Sequence, residues 1–140
     1  MAPLKAAELH RLARQELGPP LIRLGFMRTR SATASWARQA GERWLVLWLQ
    51  PSRSTSSPSS GEFTIELRLS SRPETGGDGQ RKRLSALLTD AAREELRRRG
   101  RAVAHGPEDV WFRQRDAADA RALLTFLAQA LRACIDQFEA

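Results

Sequence analysis

At 140 residues and 15.7 kDa, the chain has the length of one domain. It carries 23 basic and 16 acidic side chains, a net charge of +7, which turns attention to acidic partners before apolar ones. A single Cys excludes a disulfide scaffold and a Cys-based zinc site, and it suits a reducing, cytoplasmic compartment. The longest unbroken apolar run, Trp44–Leu49, is too short to cross a membrane. Lys5, Glu8, Arg11, Arg14 and Glu16 precede any apolar stretch, so no signal peptide is expected at the N-terminus.

The opening segment Ala2–Leu17 has Leu4, Ala7, Leu9, Leu12, Ala13 and Leu17 near helical spacing. Gly18-Pro19-Pro20 is expected to break or kink that helix, because proline removes a backbone donor. A short further turn, Pro20–Leu24, should end at Gly25 as a left-handed cap. Three strands are predicted next. Ala32–Arg38 is the weakest, with Ala34 and Trp36 on one side. Arg43–Gln50 puts Trp44, Val46 and Trp48 on one face and Leu45, Leu47 and Leu49 on the other, so it should be central and covered twice. Glu62–Ser70 alternates, with Phe63, Ile65, Leu67 and Leu69 inward and Glu62, Thr64, Glu66 and Arg68 outward.

A Ser-rich loop at 52–61 and a Gly-rich loop at 73–80 flank that third strand. The spacing of Leu84, Leu87, Leu88, Ala91, Ala92 and Leu96 predicts a helix over Arg81–Arg99, closed by Gly100. Trp111-Phe112-Arg113 reads as a short edge strand or an anchor. Asp116–Phe138 is the clearest helix, with an apolar stripe running from Ala120 to Phe138. The expected fold is therefore a single α+β domain over 1–140. It is an antiparallel three- to four-stranded meander packed against three helices, in the order α-β-β-β-α-(β)-α.

Charge is uneven along the chain. Residues 1–50 hold 8 basic and 3 acidic groups, and residues 81–101 again hold 8 and 3. In the second stretch Arg93, Arg97, Arg98, Arg99 and Arg101 form a candidate anion patch, since clustered guanidiniums are the electrostatic footprint of phosphate binding. The plainer reading is a solvated helix end, with Glu94 and Glu95 spaced to pair with Arg98 and Arg99. No aromatic residue interleaves that segment for base stacking.

Catalytic and metal-binding constellations are scarce. His10 and His105 have no second ligand at metal spacing, so no metal is expected. His105 beside Glu108 and Asp109 is the nearest approach to an acid–base group. Cys134 falls in the apolar stripe of the last helix and should be an inert buried thiol. No phosphate-cradling Gly motif or nucleophile elbow is present, and neither an enzyme nor a bound cofactor is expected. The four Trp fit core packing best, with Trp36 as the possible exposed exception.

One family pattern emerges from these residues. Leu21-Ile22-Arg23-Leu24-Gly25-Phe26 is followed by Arg28 and Arg30, then by Trp36-Ala37-Arg38. Trp44–Leu49 then runs into Gln50-Pro51-Ser52, and Gly61-Glu62-Phe63-Thr64-Ile65-Glu66-Leu67 follows. Together they resemble the bacterial family catalogued as domain of unknown function 4304, over about residues 15–70. Members of that family usually carry Gly after the Phe-Thr strand, where this chain has Arg68. The resemblance implies a helix, an aromatic strand and a Phe-Thr strand in series, and no catalytic residues.

The functional expectation is a small cytoplasmic bacterial domain acting as a non-enzymatic protein-interaction module, with a protein partner or a second copy as its target. The alternative is nonspecific nucleic-acid binding through the basic segment 81–101. Three helices suffice for one sheet face, so Trp44 and Trp48 should stand open beside Glu66 and Arg68. They would form a binding groove with an aromatic floor and a charged rim.

Overall fold

The run Trp44–Leu49 has no polar face to offer solvent, and the fold is arranged around it. The computed structural model describes residues 2–52, 61–73 and 79–140. In chain order these form helix α1 (Ala6–Arg23) and strands β1 (Met27–Arg28), β2 (Ser35–Ala40), β3 (Arg43–Pro51), β4 (Glu62–Ser70) and β5 (Arg81–Arg83). Helices α2 (Leu84–Leu87) and α3 (Asp90–Arg98), strands β6 (Ala102–Ala104) and β7 (Val110–Arg113), and helix α4 (Ala117–Glu139) complete the chain. The expected loops at 52–61 and 73–80 lie, apart from their ends, outside the described residues.

The fold is α+β, as the patterning predicts, but the antiparallel sheet has seven strands among the described residues rather than three or four. Their order is β1-β2-β3-β4-β7-β6, with β5 also on β4. The extra strands are two or three residues long and carry no alternation that a sequence pattern could reveal. β5 and β7 share one edge of β4 end to end: β5 pairs residues 66–68 and β7 pairs residues 62–63.

One face of the sheet carries Trp36, Leu45, Leu47, Leu49, Phe63, Ile65, Leu67 and Phe112, all buried in the main core with α1, α2 and α4. Trp36 is therefore a core residue and not an exposed exception. It pairs with Leu47 on β3, which turns its ring toward the helices. The Phe63 and Phe112 rings meet with centroids 5.6 Å apart, joining β4 to β7.

Contrary to expectation, α1 runs unbroken through Pro19 and Pro20. Each interior proline costs about 3 kcal/mol of helix propensity. Leu17 and Leu21, fully buried on either side of the pair, return about 1.5–3 kcal/mol each, and Leu9 and Leu12 add to them. Tertiary burial outweighs the local penalty. Gly25 ends the helix as expected, at φ +91, with Phe26 N donating to Leu21 O and Gly25 N to Ile22 O, a Schellman closure. Gly100 closes α3 the same way, through Arg101 N to Leu96 O and Gly100 N to Arg97 O.

The predicted helix over 81–99 divides into β5, α2 and α3. Leu84, Leu87 and Leu88 satisfy helical spacing within a single turn. Thr89 then starts a new helix by accepting a hydrogen bond from Ala92 N at 3.1 Å, as Thr does at an N-cap. Asp116 caps α4 in the same manner, from Asp119 N at 2.9 Å.

Two local contacts set up measurable consequences. Gly61, at φ +72, lies against the Gln114 carbonyl, and a Cβ there would stand 2.0 Å from that oxygen. Gln114 is fully buried and bonds Leu4 N at 3.0 Å and Leu4 O at 3.2 Å. Gly61→Ala is expected to lower stability by more than about 1 kcal/mol, read as a fall in the midpoint of denaturant unfolding.

His10 Nδ1 accepts from Ala34 N at 3.0 Å, which requires that nitrogen to be unprotonated. Burial first, and the Arg14 charge second, hold the imidazole pKa below its ordinary value. The unfolded chain therefore binds this proton more readily than the folded one. Stability from this group is complete above the unfolded value of about 6.5 and declines as pH falls below it. Thermal midpoints should drop from about pH 7.5 to about pH 5.5, and drop less in His10→Asn.

Candidate binding face

Strand alternation puts a second set of side chains on the sheet face opposite the helices. The register arranges them in rows across β2, β3, β4 and β5. Ser35, Trp48, Glu66 and Arg83 form one row. Ala37, Val46, Arg68 and Arg81 form the next, and Gln39, Trp44 and Ser70 the one beyond. Trp48, Val46 and Ala37 make a small separate apolar cluster with Trp44 packed against it. The residues expected to form a groove, Trp44, Trp48, Glu66 and Arg68, are thus neighbours, on the side opposite Leu45, Leu47 and Leu49.

The expected exposure is corrected. Trp48 is 6% exposed and Glu66 5%, with Val46 fully buried, so the floor is closed rather than open. The Arg68 guanidinium lies over the Trp48 ring, 5.6 Å from its centroid, a placement in which a long cationic side chain shields an aromatic surface. Trp44 and Arg68 keep partial exposure.

The polar groups on this face are incompletely satisfied. Ser35 Oγ, Thr64 Oγ1 and Arg68 Nε are shielded from solvent and have no hydrogen-bond partner among the described residues. Each such group costs about 1–3 kcal/mol. The Glu66 carboxylate has Arg81 Nε at 3.7 Å and Arg83 Nε at 3.9 Å, ion-pair distances beyond a good hydrogen bond. A buried acid with loosely held cations sits among donors that lack acceptors.

Toward β7 the same face continues through a tighter network. Arg83 bonds the Asp109 carboxylate and stacks on Trp111, 4.7 Å from its ring centroid. Trp111 Nε1 donates to Asp109 at 2.8 Å. Those two bonds, with Arg83 foremost, hold the Asp109 pKa below its ordinary value. His105 does not share a catalytic arrangement with Glu108 and Asp109: its backbone N–H bonds Asp109 O at 2.8 Å, while its Nε2 lies 2.5 Å from Glu62. A cleft of about 900 Å³ opens beside this network, lined by Glu66, Arg81, Lys82, Arg83 and Asp109 among others. Sequence reasoning missed Arg81, Arg83, Trp111 and Asp109 as parts of this face, because β5 was not visible and only that strand brings Arg83 to Glu66.

The anion patch is differently disposed. Arg97 takes a bidentate hold on Glu94, at 3.0 and 2.5 Å. Arg98 and Arg99 share Glu95, and Arg93 bonds Asp90. Arg101 lies 2.8 Å from Asp119 in a largely buried pair. Every cation of the patch thus has a carboxylate partner; Glu95 pairs with Arg99 at the expected spacing, while Glu94 pairs with Arg97 rather than Arg98. Among the described residues no group of three or more His, Cys, Asp or Glu side chains could hold a metal ion, and no helix is long and apolar enough to cross a membrane. Burial pushes the Cys134 thiol pKa up to about 11, which leaves a negligible thiolate fraction at neutral pH.

No family model, curated protein or solved structure matches the chain.

Pairing within the patch makes its members separable by stability. Arg101→Ala would leave the Asp119 carboxylate with the Arg115 N–H at 2.9 Å and the Arg115 guanidinium at 3.6 Å, and a loss of about 1–2 kcal/mol is expected for the missing charge-assisted bond. Arg97→Ala breaks an exposed pair and should stay within about 0.5 kcal/mol of the parent. Urea unfolding of the two variants checks both figures.

Proposed function

We propose that this chain is a non-enzymatic protein-interaction module that receives a partner protein on the sheet face opposite its helices. The observation that supports this most is the concentration of Trp and Arg on that one face. Trp48 lies under Arg68, Trp111 lies under Arg83, and Trp44 is partly exposed near the start of β3. Trp and Arg are the residue types that dominate the energetic centres of protein interfaces. Docking of nucleic acid on segment 81–101 is disfavoured by the same geometry, because its guanidiniums already hold carboxylates. A buried, unpaired thiol is in keeping with a reducing, cytoplasmic setting.

A photo-crosslinking residue in place of Trp44, expressed in the native host, should yield a discrete protein adduct. The same residue at Gln129, exposed on α4, should not, and Arg68→Glu should abolish the Trp44 adduct. Equal adducts at both positions, or none at Trp44, would remove this reading.

A further inference from the structure

The cleft of about 900 Å³ beside β5 has the size of a small-molecule site, about 300–1,000 Å³. Register sets Glu66 opposite Arg83 and Arg68 opposite Arg81, so alternation brings Glu66, Arg81 and Arg83 to one face of the sheet. All three line the cleft. Glu66 is only 5% exposed, yet among the described residues no donor comes within hydrogen-bonding reach of its carboxylate. Arg81 Nε stops at 3.7 Å and Arg83 Nε at 3.9 Å. A buried carboxylate is ordinarily satisfied by hydrogen bonds. The cleft that Glu66 lines is the space from which a further donor can reach it.

The two arginines differ in what they leave over. Arg83 is committed, since it bonds Asp109 and lies over the Trp111 ring. Arg81 has no carboxylate besides Glu66 among the described residues, and about half of its side chain is exposed. Its terminal nitrogens can therefore take an acceptor from the cleft. The charge of the lining is balanced as well. With Arg93 joined to Asp90, Arg81, Lys82 and Arg83 are set against Glu66, Glu108 and Asp109. A lone anion would meet Glu66 and a lone cation the two guanidiniums, and like-charge juxtaposition is costly. A ligand with both charges on one carbon centre avoids the two penalties, because its cation meets Glu66 while its anion meets Arg81. Ala86, Pro107 and Val110 give the remainder of such a molecule an uncharged wall.

We infer that this cleft binds a free α-amino acid, its ammonium group on the Glu66 carboxylate and its carboxylate on the Arg81 guanidinium. The site requires no partner protein and does not depend on the protein-interaction reading.

The test adds an equimolar mixture of L-α-amino acids to the full chain and follows the indole N–H signals by NMR. Trp111 Nε1 donates to Asp109 at the cleft, so its signal should shift saturably. That of Trp36, buried in the core, should stay in place. The same mixture as N-acetyl derivatives lacks the ammonium, and as carboxamides it lacks the carboxylate. Each form should bind about tenfold or more weakly, the equivalent of one lost charge-assisted hydrogen bond. Arg81→Gln, at an exposed position, and the isosteric Glu66→Gln should each weaken binding of the free amino acids to a similar extent. Arg132→Gln, on the exposed side of α4, should not. If the substitution at buried Glu66 unfolds the chain, Arg81→Gln decides the matter. A Trp111 signal unmoved by the mixture, derivatives that bind as the free amino acids do, or an Arg81→Gln protein that binds as the parent does, would overturn the site.

Discussion

The constraint on which the molecule depends is that β3 is apolar on both faces. A strand of that kind has to be interior to the sheet and shielded above and below. The helices supply the first cover: Leu45, Leu47 and Leu49 vanish beneath α1 and α4. The second set, Val46 and Trp48, receives no helix residue in its cluster, and its shielding among the described residues includes the Arg68 guanidinium. One face of the sheet is thereby an ordinary hydrophobic core. The other is a mixed surface in which aromatic rings, guanidiniums and a buried carboxylate share the same rows.

That division explains what could be read in advance. The stripe of α4 and the alternation of β3 and β4 each extend over many residues, so their periods are unambiguous and their boundaries fall close to those expected. β1, β5 and β6 are too short for a period to exist, and they are strands only because a neighbouring edge has open hydrogen-bonding groups. The segment from Arg81 misleads for the same reason. Its leucines repeat as in a helix, but the edge of β4 captures Arg81–Arg83 first, and Thr89 restarts the helix later. The proline pair in α1 misleads in the opposite sense, since a local penalty was visible and the burial of Leu17 and Leu21 that offsets it was not.

The candidate face was legible in part, through alternation alone. Period-two placement puts Trp44, Trp48, Glu66 and Arg68 on one side without any knowledge of the partners. Burial could not be inferred that way, because it depends on where Arg68 lays its side chain. Charge behaves similarly. Counting residues marks two basic stretches as equivalent, and the fold separates them: Arg93, Arg97, Arg98, Arg99 and Arg101 are paired with Asp90, Glu94, Glu95 and Asp119, whereas in the first stretch Arg38 alone has a carboxylate partner among the described residues.

The shared edge of β4 has a bearing on how the chain assembles. β5 reaches that edge after a modest excursion from β4, whereas β7 returns to it only after α2, α3 and β6. Arg83 and Asp109, 26 residues apart, meet where the two strands abut. Docking both strands therefore ties the intervening chain into a loop whose closure entropy has to be met before its contacts are made, a cost that rises only slowly with length. Helix α3 and β6 sit inside that loop and touch each other. Leu96 of α3 lies in the main core and Arg101, beside β6, pairs with Asp119 of α4, so this unit is held by the core and by α4 as well as by the contacts of Arg83, Trp111 and Asp109.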